Sequence, residues 1–579
     1  MEYFIFAGAM LLFILLIMVM GYINSMNERK RFIKKLYERY GDAVDREYDT
    51  DELEQHIPMY YKEHEEANQL DDITWNDLNM DRIYSKMNYS HSSAGDEYLY
   101  YRLRTPVQSK EELERFESHV RYFMDNADLR VKLQVKFAQL GRMSKYSLYE
   151  YLSFLDTLGE RNSFRYYMAL LLVIISLGLM FVSVPLGCCA LLVVISYNMI
   201  NYFKEQKEIG HYITSFAYIS RLLDAANDIG KYSISEIDKE QERLLKCYKA
   251  MGNFRRNSFI VFSSSGGRGG MSANGNILET LFDYLRMIFY LDLIKFNQML
   301  RVVRNHIGDI DEMVTVMGMI ETAIVVGEYR TNLKGDYCIP EFITEEDEDG
   351  YINIKQLYHP LLNNPVKNDI EVDKGVLLTG SNASGKSTFL RAVAVNAILA
   401  QTIHTCMAAS YKGVMFRIYS SMSLKDDIES GDSYYMAEVK SIRRILNNVA
   451  CAEKDKKHVL CFVDEVLRGT NTVERIAAST QILKALAAKN VICFAATHDL
   501  ELTKLLSDVY DNYHFEEEIE KNDILFNYKL QKGPAVSRNA IALLKVLGYD
   551  KDLVNDAETM AQTFLKTGQW HKGGKLNDF

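Results

Sequence analysis

Gly380-Ser-Asn-Ala-Ser-Gly-Lys-Ser387 follows the apolar run Gly375–Thr379 and opens the helical stretch Thr388 to Gln401. Its glycines let backbone N–H groups wrap an anion, and a helix starting there adds the positive end of its dipole. The octet fits GxxxxGK[ST] at a strand-to-helix junction, the context a phosphate-binding loop needs. The expected nucleotide contacts are Gly380, Ser381, Asn382, Ala383, Ser384, Gly385, Lys386, Ser387 and Thr388. Lys386 is expected to reach the β- and γ-phosphates and Ser387 to ligate magnesium, so ATP and Mg2+ are the expected cofactors.

Downstream, Val459-Leu-Cys-Phe-Val463 is an apolar strand ending in Asp464-Glu465, and Val491–Ala495 is another, followed by Thr497-His498. With Gly375–Thr379 these strands alternate with helical stretches, the pattern of a parallel sheet covered on both faces. Asp464 is expected beside the metal and Glu465 beside the attacking water as general base. A surface acidic pair is the bland alternative. His498, at the end of the third strand, is placed to put an imidazole beside the γ-phosphate; a lone histidine is otherwise structural.

The 579 residues are 48% hydrophobic and 25% charged with 7 prolines, an ordinary globular balance that excludes disordered, collagen-like and disulfide-rich classes. Sixty-seven basic and 78 acidic residues give −11, so the whole chain is no polycation, although a local basic surface stays possible. The 8 cysteines show no CxxC pair or metal spacing and read as reduced thiols.

Tyr3 to Ile23 carries no charge, is long enough to cross roughly 30 Å of hydrocarbon, and precedes Arg29, Lys30, Arg31, Lys34 and Lys35. That reads as an anchor with the N-terminus outside and the basic flank in the cytoplasm. A cleaved signal peptide competes, but no positive n-region precedes the apolar core. Tyr166 to Phe203 is also uncharged, with Pro185 and Gly187 near its middle and basic residues at both ends. It reads as a transmembrane hairpin, the alternative being a buried core hairpin. Together they predict a cell-membrane protein with three crossings and everything after residue 203 inside.

Other spans are helical in pattern. Ser109 to Glu112 is a capping-box signature. Ser263 to Asn274-Gly275 is a Gly/Ser loop and Glu345 to Asp349 an acidic linker. The expected organisation is an anchor over 1–25, a charged juxtamembrane helix over 26–75, and all-α lever helices over 76–165 and 204–340 flanking the hairpin 166–203. An α/β nucleotide-hydrolase domain follows over 350–535, with a helical tail over 536–579.

Asp464-Glu-Val-Leu-Arg-Gly-Thr-Asn-Thr472, Ala496-Thr-His-Asp-Leu-Glu-Leu502, Ser387-Thr-Phe-Leu-Arg391, His359-Pro360 and Asp426 to Glu438 together resemble the ATPase domain of the MutS DNA mismatch-repair family. Tyr528 to Gly533 resembles the strand closing that domain, and Ala540 to Phe564 its helix-turn-helix dimerisation tail. Asp77-Leu, Ser92-Ser-Ala-Gly95, Leu103 to Pro106 and Asp128-Leu-Arg130 are similar to the family's lever core. The resemblance implies a homodimer with two composite ATP sites. In it Ser430, Gly431 and Ser433 of one subunit complete the site of the other, Ser433 touching the γ-phosphate, and Asn382 is the loop asparagine. Read without the family, Ser433 is an ordinary helix cap.

Three departures accompany the likeness. No room is left for a mismatch-reading N-terminal domain or a Smr nuclease tail, Asp432 stands where many relatives carry a basic residue, and the hairpin interrupts the lever region. The expected function is a membrane-anchored MutS-type ATPase that binds DNA through phosphates. The alternative is an ABC-like engine driving a partner membrane protein or envelope process. A nucleotide-gated scaffold that barely hydrolyses is a third reading, which Lys386, Ser387, Asp464 and Glu465 argue against.

Overall fold

The structure is a computed structural model that describes residues 2–143, 146–159, 161–255, 287–343, 350–381, 384–422, 434–520, 523–535, 541, 544 and 548–570. The chain divides into two compact units. One comprises residues 1–65, 85–101 and 117–332, the other 66–84, 102–116 and 333–579.

The first unit is helical. Its central helix, Ile307–Asn332, is buried along most of its length because Val, Ile, Met and Ala occupy the inward positions. An ion pair and a buried carboxyl group pin it. Arg330 makes a bidentate bond to Glu117 at 3.1 and 2.6 Å. Glu321, 1% exposed, accepts from the His91 backbone N–H at 2.5 Å, from Ser92 N–H at 3.2 Å and from the Ser92 hydroxyl. A Cβ at Gly95 would lie 2.2 Å from Glu321 Oε2, so the Ser92–Gly95 turn needs its glycine for this close approach. Arg142 and Arg46 meet on Asp96 at 2.5 and 3.1 Å.

The Tyr3 to Ile23 stretch forms the first part of the continuous helix Glu2–Glu38. Phe164–Leu179 and Val184–Ile229 pack as an antiparallel pair. Their ends are matched by Arg161 to Glu205 and Glu208 at 3.0 and 2.8 Å, and by Gly187 lying against Met180. Pro185 sits in the first turn of the second helix, where a missing N–H costs nothing. The break therefore falls at Met180 to Ser183, before Pro185, and the second helix runs on past Phe203 to Ile229. Among the described residues one helix, Val184–Gly210, is long and apolar enough to cross a membrane. Phe164–Leu179 has only 16 residues, about 24 Å of rise against roughly 30 Å of hydrocarbon. Three crossings are therefore not supported among the described residues; within the hairpin the first helix falls short because the turn takes its residues. The apolar side chains face outward: Ile174, Phe181, Leu192, Val193 and Ile200 are exposed, Phe181 by 95%.

The second unit holds two sheets. Strands β1 (Glu341–Phe342), β2 (Ile352–Leu357), β3 (Asn368–Val372) and β5 (Ser410–Gly413) form a four-stranded sheet in the order β1-β5-β2-β3. Strands β4 (Gly375–Thr379), β6 (Phe416–Ser421), β7 (His458–Asp464), β8 (Val491–Ala496), β9 (Tyr510–Glu520) and β10 (Asp523–Lys532) form a six-stranded sheet in the order β10-β9-β4-β8-β7-β6. All its pairs are parallel except β10 with β9. β4 and β8 are buried throughout and β7 at all but its end residues, which is why they read as unbroken apolar runs. Helices Lys386–Ile403, Tyr434–Lys454 and Thr472–Ala485 connect the parallel strands. The helix Asp72–Asp77 belongs to this unit. Asp77 accepts from Ser420 Oγ at 2.7 Å and from Met422 N–H at 2.8 Å, at the exit of β6.

Candidate functional site

Open parallel sheets bind ligands outside the carboxyl ends of their strands. Three such ends converge here: β4 runs into Gly380, β7 ends on Asp464, and β8 leads into Thr497 and His498. The loop after β4 turns on two glycines in the left-handed region, Gly380 at φ +139° and Gly385 at φ +102°. A Cβ at Gly380 would meet Ser384 Oγ at 2.9 Å, and one at Gly385 would press on the Tyr528 ring at 3.1 Å. Ser384 Oγ donates to Ser381 O at 2.7 Å, tightening the turn. Lys386 opens the following helix and is 1% exposed; its Nζ donates to Gly380 O at 2.6 Å and Ser381 O at 2.7 Å. Ser381 Oγ is buried without a hydrogen-bond partner among the described residues. Thr388 stands exposed at the loop's rim.

Ser387 Oγ donates to Asp464 Oδ2 at 2.5 Å, so loop and strand end meet. Two oxygens so close are a donor set for a hard divalent cation. With the orphaned Ser381 hydroxyl and the two glycine cradles, the residues fit a magnesium-bound polyphosphate.

Glu465 follows in the left-handed region, φ +60°, with its N–H donated to Ala496 O at 2.9 Å. Its carboxylate pairs with His498 Nε2 at 2.7 Å and Arg468 Nε at 2.6 Å. Burial pushes this carboxyl up, but the His498 hydrogen bond and the charges of His498, Arg468 and Lys386 outweigh it. The net result is a pKa below the ordinary glutamate value. The structure thus brings Lys386, Ser387, Asp464, Glu465 and His498 together. Asp499, one residue on, is clamped by Arg475 at 2.9 and 2.7 Å, fixing the turn that presents His498.

Sequence reasoning missed a cavity of about 510 Å³ beside the loop, lined among others by Tyr528, Val366, Asn368, Phe515, Gly385 and Thr388. Tyr528 takes φ +52° at a register shift in β10 between Phe526 and Leu530. Asn368 bridges that bulge, donating to Tyr528 O at 3.0 Å and accepting from Leu530 N–H at 2.8 Å. The bulge turns the ring over the start of the loop helix. His359, from the His359-Pro360 pair, is buried on the same side; burial and then the Arg391 charge lower its pKa to about 4.

Asn382 and Ala383, the segment with Ser430, Gly431 and Ser433, the Gly/Ser loop over 263–276 and the acidic run over 345–349 lie outside the described residues. The tail contributes the helix Lys551–Thr567, capped by Asp550.

Residues 376–565 match the family model of MutS domain V. The human MutS protein homolog 4 is 31% identical over 299 residues, 48% of this chain and 30% of that protein. The mouse MutS protein homolog 4 is 32% identical over 279 residues, 45% and 28%. The DNA mismatch repair protein MutS of Lactobacillus delbrueckii subsp. bulgaricus is 28% identical over 286 residues, 47% and 32%. The chain spans less than a third of the length of these relatives.

Proposed function

We propose, on the premise that this chain belongs to the MutS family, that it is a membrane-tethered ATPase working as a homodimer and contacting DNA through its phosphates. The observation that carries the hydrolysis is the Ser387–Asp464 contact, with Glu465 and His498 beside it. Magnesium, when bound, would neutralise charge on the β- and γ-phosphates; Ser387 and Asp464 are the residues to hold it. Gly380, Ser381, Asn382, Ala383, Ser384, Gly385 and Thr388 would wrap the phosphates with backbone N–H groups. Lys386 would exchange its two carbonyl partners for phosphate oxygens. Glu465, kept ionised by its neighbours, would accept a proton from water, while His498 fixes its orientation. The cavity under Tyr528 would take the adenine, stacking on the ring. Ser430, Gly431 and Ser433 of the partner subunit would close the site.

The membrane reading rests on the outward-facing apolar pair Phe164–Leu179 and Val184–Gly210, since a soluble protein rarely leaves so large a patch uncovered. With the first helix it would form an anchored, multi-pass base, the N-terminus outside and the hydrolase in the cytoplasm. That same exposure favours a second reading, in which the engine moves a partner membrane protein and DNA plays no part.

The test is ATP turnover by the detergent-solubilised full chain and by Lys386→Ala, each with and without duplex or branched DNA. Magnesium-dependent turnover abolished by Lys386→Ala supports the ATPase. DNA stimulation that fades with salt supports the DNA role. Turnover indifferent to Lys386→Ala refutes the site.

A further inference from the structure

The loop after β7 carries Glu465, yet much of its support comes from elsewhere in the chain. Glu438 lies in the second turn of the helix Tyr434–Lys454 and is 3% exposed. Its Oε1 accepts from the backbone N–H of Leu467 at 2.6 Å and of Arg468 at 3.4 Å. Its Oε2 is buried with no hydrogen-bond partner among the described residues. Leu467, like Glu465, stands at φ +60°, a conformation that side-chain-bearing residues hold only under constraint. Arg468, whose N–H Glu438 grips, is the residue whose Nε reaches Glu465. Tyr435, from the first turn of the same helix, packs against Gly469, where a Cβ would meet the Tyr435 Cβ and ring at 3.2 Å.

We infer that Glu438 is a positioning residue for hydrolysis: by gripping Leu467 and Arg468 it holds Arg468 against Glu465 and sets the placement of that carboxylate. Burying a carboxyl with one oxygen unsatisfied is costly, and the strained loop it secures is the compensating gain. Burial raises the Glu438 pKa, and the Leu467 and Arg468 N–H donors oppose that rise. The inference rests on the reading of Glu465 as the general base.

The experiment compares Glu438→Leu, which keeps volume and removes both acceptors, with Glu438→Gln, which keeps one acceptor at Oε1, in the full-length chain. Glu438→Leu is expected to lower kcat by ~10–100-fold, the loss typical of releasing a supporting contact. KM for ATP should stay within about twofold, because no nucleotide contact is touched. Glu438→Gln should restore most of kcat. Should Glu438→Leu fail to bind a fluorescent ATP analogue, Tyr435→Ala, at a half-exposed position, loosens the same loop and is expected to show the same loss of kcat at near-constant KM. Wild-type kcat in the folded variant overturns the inference. Glu465→Gln run in parallel separates the two readings: if it too turns over normally, the base assignment is what fails.

Discussion

Glu465→Gln is the sharpest probe of the hydrolytic reading. The substitution preserves shape and leaves one oxygen to accept from His498 or Arg468, but it removes the group that takes a proton from water. Loss of a positioned general base costs ~10²–10⁴ in rate, which at 1.36 kcal/mol per decade is about 3–5 kcal/mol of transition-state stabilisation. Nucleotide affinity should hold or rise, because a carboxylate only 17% exposed no longer repels the phosphates. ATP-bound dimers should therefore accumulate. The wild-type pH profile carries its own signature. The base works when ionised, and its pKa is held below the ordinary glutamate value by His498, Arg468 and Lys386 against the opposing effect of burial. Acidification should leave kcat flat until the pH falls below about 4.5. The assay is phosphate release under saturating ATP from pH 4 to 9, paired with chromatography of the nucleotide-loaded protein. A fall in kcat of less than about threefold, or an acid limb centred at pH 6 or above, refutes Glu465 as the base.

Tyr528→Ala should weaken ATP binding by ~5–100-fold at little cost to kcat, the range for losing one base–aromatic stack; GTP and ATP affinities measured by fluorescence would show whether the effect follows the base. Val193→Arg places a charge on the exposed apolar face of the helix Val184–Ile229. In a bilayer that should cost ~2.5–3.5 kcal/mol and shift protein from the carbonate-resistant membrane fraction toward release or degradation, whereas wild-type chain found wholly in the soluble fraction would end the membrane reading. Glu321 is fully buried, and burial lifts its pKa to about 7, opposed by the Ser92 and His91 donors. A raised carboxyl pKa means stability is fully present below about pH 4.5 and is lost as pH rises through 7. Glu321→Gln should remove a term on the order of 3 kcal/mol from that decline, readable as flatter denaturant midpoints between pH 5 and 8.

The parts of the site that were legible lie in short contiguous signals. Glycines at 380 and 385 with Lys386 between strand and helix, and the apolar run that ends in Asp464-Glu465, mark chemistry locally because each needs only its own few neighbours. Tyr528, Val366 and Asn368 meet from well-separated stretches, and Tyr528 faces the loop only because β10 bulges there. No alternation of apolar and polar residues encodes that. Helical periodicity over residues 66–116 announced helices without saying which body each packs with; Asp77 is tied to Ser420 and Met422 by side-chain bonds that a pattern does not display. The expected capping box at Ser109 is half made. Ser109 Oγ accepts from Glu112 N–H at 3.3 Å, but the Glu112 carboxylate takes Arg102 at 2.6 Å instead. The complete box is at Ser147 and Glu150. Local signatures yield when a stronger charged partner is within reach.

The loop from Asp464 to Gly469 shows how a partly buried carboxylate can sit on a backbone that resists it. Two residues with side chains, Glu465 and Leu467, occupy the left-handed region, at roughly 1–3 kcal/mol each. A glycine at either place would fold more easily. The conformation persists because its neighbours over-determine it: Ala496 O holds the Glu465 N–H, Glu438 holds Leu467 and Arg468, and His498 and Arg468 hold the carboxylate from two sides. Remove one of these and the loop has a reason to relax, which would carry the carboxylate away from Ser387 and Asp464. On the proposed mechanism Glu465→Gly, which relieves the backbone cost but deletes the base and its pairs to His498 and Arg468, should abolish turnover measured as phosphate release.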